Sequence, residues 1–394
     1  MVERKNYFEK LLKLKDKKII KIISGVRRCG KSTLLEQFKN YLLNNDIDEN
    51  QIISINFEDL TYENLLDYKS LYNYIINNLH PNKTTYIFLD EIQEVKNFQK
   101  AVDSLFLKNN IDIYITGSNA HMLSGELATL LSGRYIEIKM LPLSFKEYHE
   151  LSDGNIKEDF NKYYINGGFP YTTKLFDNFI INDYIDGIYN TVLIKDIATR
   201  KKISDIALLK TITKFLVDRI GNILSPKKIS DYLTSSGRKT SHLTIENYIN
   251  ALSEAFIIYP VERYDIKGKQ LLKTLNKYYF VDTGFKKILL GDKNTDIGFT
   301  LENIVYLELV RRGYKVYIGK IDDLQIDFIA EKENDKIYIQ VSATVIDPNT
   351  FQREITPLEK INDNYPKYII TMDEFPMNKN GIKTINLIDF LLND

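Results

Sequence analysis

Residues 25–33 read GVRRCGKST, with Gly25, Gly30, Lys31 and Ser32 at the spacing G-x-x-x-x-G-K-[ST]. The flanks supply the context that this spacing needs. Upstream, KIIKIIS (18–24) is a short apolar strand, and downstream Leu34, Leu35, Phe38, Tyr41 and Leu42 recur with helical period. A glycine-rich turn between a strand and a helix lets backbone N–H groups and the helix N-terminus face an anion at close range. The expected phosphate-holding loop therefore runs from Gly25 through Val26, Arg27, Arg28, Cys29, Gly30, Lys31 and Ser32 to Thr33. In it Lys31 is a point charge for the β and γ phosphates, and Ser32 offers its hydroxyl to Mg2+.

Arg27, Arg28 and Cys29 fill variable positions, so the spacing does not explain them. One arginine either adds charge near a nucleotide or clasps a carboxylate such as Glu58 or Asp59, which follow the next strand candidate, QIISINF (51–57). Cys29 reads as a tolerated filler.

Further along, YIFLDE (86–91) is an apolar strand ending in two acids. Such a strand delivers Asp90 to the metal held by Ser32, and Glu91 can orient and activate a water for in-line attack. The next strand, DIYIT (112–116), ends in TGSN, where Asn119 can hold that water or sense the γ phosphate; a plain Gly-Ser-Asn turn is the alternative. Arg134 precedes YIEIKM (135–140) and is either an arginine finger, from this protomer or a neighbour, or a structural ion-pair partner. Strands alternating with helical patterns argue for a three-layer α/β domain with a parallel sheet.

The chain of 394 residues is long for one core, so two or three domains are expected. Lys and Arg number 53 and Asp and Glu 53, so nucleic-acid affinity has to come from a local patch. Residues 195–273 offer one, with fifteen Lys and Arg against eight Asp and Glu. A single cysteine excludes an internal disulfide and a multi-cysteine metal site. The N-terminal stretch lacks the apolar core of a signal peptide, and no run approaches the roughly 18 apolar residues of a membrane span, so a cytoplasmic chain is expected.

The set GVRRCGKS, FLDEIQ, TGSNA, LLSGRY, PLSFKEY and NGGFP, in this order, resembles a large family of bacterial and archaeal AAA-type ATP-binding proteins. The resemblance covers nearly the whole chain. It implies ATP and Mg2+ as cofactors, and a sheet with an additional strand between the phosphate loop and the acid pair.

Beyond Pro142 amphipathic helices broken by NGGFP (166–170) read as a helical lid. PKKISDYL (226–233), a turn and TSHLTIENYINALSEA (240–255), followed by two strand-like runs around a polar 261–269, resemble a winged helix-turn-helix. There Arg238, Lys239, Ser241 and His242 would enter a DNA groove, while Arg263, Lys267 and Lys269 approach phosphates. Protein contact is the alternative, since Glu246 and Glu254 lie on the same helix.

In the C-terminal part Glu302 lies in an amphipathic helix, Asp327 in QIDFIA and Gln340 in YIQVS. This resembles a restriction-endonuclease-like core, in which acids bind Mg2+ and a lysine assists the water. Gln340 replaces the second strand acid and Ser342 stands where lysine is expected, so nuclease activity is not expected and a degenerate binding core is.

The expected fold class is thus α/β: a P-loop NTPase parallel sheet (1–142), a helical lid (143–200), a winged-helix segment (201–285) and a C-terminal restriction-endonuclease-like α/β domain (286–394). The expected function is Mg2+-dependent ATP hydrolysis that drives interaction with DNA or a protein partner. A nucleotide-controlled switch with little turnover and an ATP-gated nuclease are the alternatives, and a homo-oligomer follows if Arg134 acts in trans.

Overall fold

The computed structural model describes residues 4–119, 131, 133–152, 154–291, 297–333 and 335–393. Ala120, Leu130 and Ser132, which belong to two of the quoted motifs, lie outside them. The chain divides into two compact units, Met1–Pro142 with Glu254–Phe256, and Leu143–Ser253 with Ile257–Asp394.

The first unit is built on a five-stranded sheet of β1 (Ile20–Ser24), β2 (Ile52–Asn56), β3 (Thr85–Asp90), β4 (Ile111–Gly117) and β5 (Tyr135–Lys139), in the order β2-β3-β4-β1-β5. Every pairing is parallel. Burial follows position in the sheet. Central β1 and β3 are buried at every residue, whereas edge strand β2 alternates. On one face Ile22, Ile87, Leu89 and Ile113 pack with Leu71, Ile75, Val102 and Leu105 from the helices Tyr68–Asn77 and Phe98–Phe106. On the other, Phe38 of the helix Lys31–Leu43 meets Tyr114 at 5.1 Å between ring centres, and Tyr114 stacks on Phe88 at 5.0 Å. Lys21 is fully buried inside β1 because the Asp112 carboxylate of β4 accepts from its ammonium.

Parallel strands present all their C-terminal ends on one edge, where ligands bind in open α/β sheets. The register aligns Ser24 with Gly117 and Asn56 with Asp90. The phosphate loop, the acid pair and the segment after β4 therefore emerge side by side.

The second unit holds a seven-stranded mixed sheet of β6 (Ile258–Asp265), β7 (Gln270–Phe280), β8 (Lys315–Ile321), β9 (Leu324–Lys332), β10 (Asp335–Ser342), β11 (Lys367–Thr371) and β12 (Lys383–Asn386), ordered β12-β11-β10-β9-β8-β6-β7. Three helices, Ile206–Asp218, Pro226–Ser235 and His242–Glu254, precede the β6–β7 hairpin. The polar stretch 261–269 is shorter as a loop than its composition implies: β6 runs on to Asp265, because β8 supplies a parallel partner, Arg263 to Ile318 and Asp265 to Lys320.

Two local features differ from, or add to, the sequence reading. The helix Ile297–Arg311 is not amphipathic; Thr300 to Leu309 are all buried. Its polar residues are tolerated because each is paired: Asn303 accepts from the Phe280 N–H at 2.7 Å and donates to the Phe280 carbonyl at 2.9 Å, and Glu308 holds Arg311 at 2.7 Å. The first glycine of NGGFP makes room for buried Asp282. Gly167 has φ +77°, and a Cβ there would sit 1.7 Å from Asp282 Oδ1. The Gly168 and Gly284 N–H groups donate to the same carboxylate at 2.7 and 2.8 Å.

Candidate functional site

Gly25 packs so closely under β5 that a Cβ would lie 2.2 Å from the Met140 carbonyl oxygen, and Gly30, at φ +105°, turns the chain into the helix Lys31–Leu43. Both positions thus require glycine for backbone reasons. Between them Val26 and Cys29 point inward and are fully buried, while Arg28 stands exposed at φ +68°. Burial pushes the Cys29 thiol up, away from the reactive thiolate. Arg27 turns to Glu58, Nη1 to Oε1 2.5 Å, which is the carboxylate-clasping alternative.

Lys31 is 3% exposed and folds back on the loop, donating to the Gly25 and Val26 carbonyls at 3.2 and 3.3 Å. Its Nζ lies 3.4 Å from Glu91 Oε1. Burial opposes the ammonium, and the neighbouring acids Glu91 and Asp90 outweigh it, so its pKa is raised. Glu91 is the mirror case: burial opposes the carboxylate, and Lys31, the Gln93 amide and Arg27 win, so its pKa is lowered. Asp90, at the end of β3, is raised by burial despite hydrogen bonds from the Thr116 and Ser32 hydroxyls.

Ser32, on the first turn of the helix Lys31–Leu43, and Asp90, at the end of β3, thus act on one another from different elements, the arrangement a divalent ion needs to bridge them. Thr116 of β4 ties the acid pair together. Its hydroxyl donates to Asp90 Oδ1 and accepts the Glu91 N–H at 2.9 Å. Gln93 donates to Glu91 Oε2 and reaches Ser118 Oγ at 3.4 Å. Glu91 itself sits at φ +54°, a conformation costly for a non-glycine residue and held here by these bonds. Asn119 is buried just after β4. Thr33 is exposed on the first turn of the helix.

Arg134 is not brought to this edge. Its carbonyl accepts the Ile20 N–H at 2.8 Å, at the opposite end of β1 from Gly25. Five strand residues, roughly 15 Å, separate the two ends. Its guanidinium pairs with Asp103 and lies 5.5 Å from the Phe106 ring centre.

In the second unit the groove candidates divide. Arg238 is fixed to Asp205 by two bonds of 2.8 and 3.0 Å, and Lys267 pairs with Asp322 at 2.7 Å. Ser241 accepts the Thr244 N–H at 3.1 Å, whereas Lys239, His242 and Lys269 are exposed. Arg263 is half-buried, and its Nε has no hydrogen-bond partner among the described residues.

A cavity of about 610 Å³ opens at Glu302, Asp327, Gln340, Ser342, Arg353 and Glu354. The sequence reading found its acids and missed its base. Lys277 of β7 is 1% exposed, with Nζ 2.6 Å from Glu302 Oε1 and 3.3 Å from Asp327 Oδ1. The Tyr279 hydroxyl also donates to Glu302 Oε1, the Val341 N–H donates to Asp327 Oδ2 at 3.0 Å, and Gln340 accepts the Asp327 N–H at 2.7 Å. Gln340 occupies its amide N–H on Glu354 at 3.2 Å. The Mg2+ that the nuclease-like resemblance implies does not fit this donor set. Among the described residues no group of three or more His, Cys, Asp or Glu is arranged to hold a metal.

Comparison with known proteins agrees with the first unit's geometry. Residues 17–149 match the model of an AAA domain, and residues 157–296 match that of a domain of unknown function. An uncharacterized protein of Haemophilus influenzae is 41% identical over 399 residues, spanning 100% of this chain and 99% of its own. Another, from Methanocaldococcus jannaschii, is 32% identical over 391 residues, covering 94% and 85%. The chain belongs to one family with these relatives, and its residues 17–149 form an AAA domain. A Walker-type ATPase of Pyrococcus abyssi superposes with a TM-score of 0.50 at 17% identity, over 74% of this chain and 96% of that one, a likeness of fold alone. No helix among the described residues is long and apolar enough to cross a membrane.

Proposed function

We propose that the chain binds Mg·ATP on Gly25–Thr33 and hydrolyses it. The observation that carries this reading is the convergence of Lys31, Ser32, Asp90 and Glu91 at one sheet edge, with the Thr116 hydroxyl on the Asp90 carboxylate and Lys31 3.4 Å from Glu91. Backbone N–H groups of the loop and Lys31 hold the phosphates, while Ser32 and Asp90 hold Mg2+, which when bound screens the charge of the phosphate oxygens. Arriving phosphate gives Lys31 a stronger partner and frees Glu91. Glu91 then orients a water whose oxygen bonds to the γ phosphorus as the bridging P–O bond breaks, and takes the proton. Asn119, buried just after β4, is the proposed group that steadies that water.

Arg134 has no path to the phosphates of its own chain, so a role in hydrolysis requires a neighbouring protomer. Its pair with Asp103 favours a structural one.

The output of the cycle, in this reading, is engagement of DNA or a protein partner by the second unit. Three helices followed by a hairpin support the winged-helix reading, and exposed Lys239, His242 and Lys269 support a phosphate contact. The test is phosphate release from ATP with Mg2+, with and without duplex DNA, for the wild type and Lys31→Ala. Turnover that Lys31→Ala abolishes and DNA raises supports the whole reading. Turnover indifferent to DNA leaves the protein-partner form, and ATP binding without turnover favours the nucleotide switch.

A further inference from the structure

We infer that the ammonium of Lys277 is the built-in cation of the C-terminal cavity, filling the place between Glu302 and Asp327 where a divalent ion would sit. The Lys277 side chain is 2% exposed and that of Glu302 5%, so the ammonium is held in low dielectric against its partners. At 2.6 and 3.3 Å it touches both carboxylates that the resemblance to a nuclease core would give to a metal.

Most of the remaining acceptor positions are also taken by the protein. Asp327 receives Gln325 Nε2 at 3.2 Å on Oδ1 and the Val341 N–H at 3.0 Å on Oδ2. Glu302 receives the Tyr279 hydroxyl on the oxygen that faces Lys277. Gln340, in place of a third carboxylate, spends its oxygen on the Asp327 N–H and its amide N–H on Glu354, which Arg353 holds at 2.8 and 3.0 Å. No oxygen-rich cage of the kind a hard cation requires is left over.

Entry of a divalent ion would set two further positive charges against a buried ammonium. The ammonium is itself buried, and Tyr279, which shares Glu302 Oε1 with it, stacks on Tyr306 at 4.5 Å in a cluster with Phe328. Repulsion between unscreened charges at such range is large. The cavity therefore meets its ligands with fixed protein donors and acceptors, and Lys277 keeps the two acids in register for that purpose. The same arrangement makes removal of the lysine a gain of function: two facing carboxylates without their ammonium form a cation site.

The experiment measures Mn2+ binding by electron paramagnetic resonance and by thermal shift, on the full-length chain without nucleotide. Four forms are compared: wild type, Asp327→Asn, Lys277→Met and Lys277→Met/Asp327→Asn. The wild type should bind no Mn2+ that Asp327→Asn removes. Lys277→Met should bind one Mn2+ per chain and rise in melting temperature with Mn2+, and the added Asp327→Asn should abolish both effects. An Asp327-dependent Mn2+ ion on the wild type overturns the inference, as does a folded Lys277→Met chain that gains none. Should Lys277→Met fail to fold without Mn2+ and fold with it, the inference stands. Should it fold in neither condition, the wild type and Asp327→Asn pair decides.

Discussion

Lys31 Nζ and Glu91 Oε1 face each other across 3.4 Å, both side chains being less than a tenth exposed. The pair joins the residue proposed to hold phosphate with the residue proposed to activate water. Each stabilises the charged form of the other. In the proposed cycle, phosphate entering beside Lys31 competes directly with Glu91, which would couple occupancy of the loop to release of the carboxylate.

The hydroxyl of Thr116 is the hinge pin of the acid pair, bonding Asp90 and the Glu91 N–H at once. Thr116→Val keeps the shape and removes both bonds. ATP turnover is expected to fall by about 10- to 100-fold, with stability lowered by about 1–3 kcal/mol for the buried groups left unpaired. Steady-state turnover alongside denaturant melts checks this; an unchanged rate would remove Thr116 from the site.

Arg27 and Glu58 are coupled across the loop and the end of β2 at 2.5 Å. Because Glu58 is partly exposed, a double-mutant cycle with Arg27→Ala and Glu58→Ala should return a coupling of only about 0.5–1 kcal/mol. Additive single effects would show the contact to be energetically silent.

Gly167→Ala adds a methyl where the Asp282 carboxylate already lies 1.7 Å away, at a backbone φ of +77°. Strain and displacement of a buried hydrogen-bonded carboxylate together should cost at least about 2 kcal/mol. Gly187→Ala, in a helix with open space around the glycine, is the control and should be neutral or stabilising.

Burial pushes the carboxyl of Glu302 up to about 7, against the pull of Lys277. A carboxyl whose folded pKa exceeds its unfolded one keeps its proton longer in the native state. Its contribution is fullest below the unfolded value and is lost as pH rises toward the folded value. Between about pH 4.5 and 7 the wild type should therefore lose stability relative to Glu302→Gln, by up to about 1.4 kcal/mol per pH unit, and the difference should level off above 7. Parallel pH profiles of the two proteins would contradict this assignment.

What the sequence made legible is what lies close along the chain. The phosphate loop, the strand ending in Asp90 and Glu91, and the next strand toward Asn119 are short local patterns, and parallel pairing brings their ends to one edge. Thr116 and Gln93 were not singled out, because a Thr in a strand and a Gln in a turn acquire meaning only through the register of β3 on β4. Lys277 was invisible for the same reason, being 25 residues from Glu302 and 50 from Asp327. The helix Ile297–Arg311 read as amphipathic because its Glu, Asn and Arg residues look solvated; partners distant in sequence bury them instead. In 261–269 polarity likewise masked a strand whose neighbour, β8, lies some fifty residues on.

The most direct test of the ATPase reading is steady-state phosphate release from Mg·ATP by the wild type and Glu91→Gln, with nucleotide affinity measured on both. Retained binding with turnover reduced by about a hundredfold or more is the expected result. Equal turnover in the two proteins would contradict the assignment of Glu91 as the group that activates water.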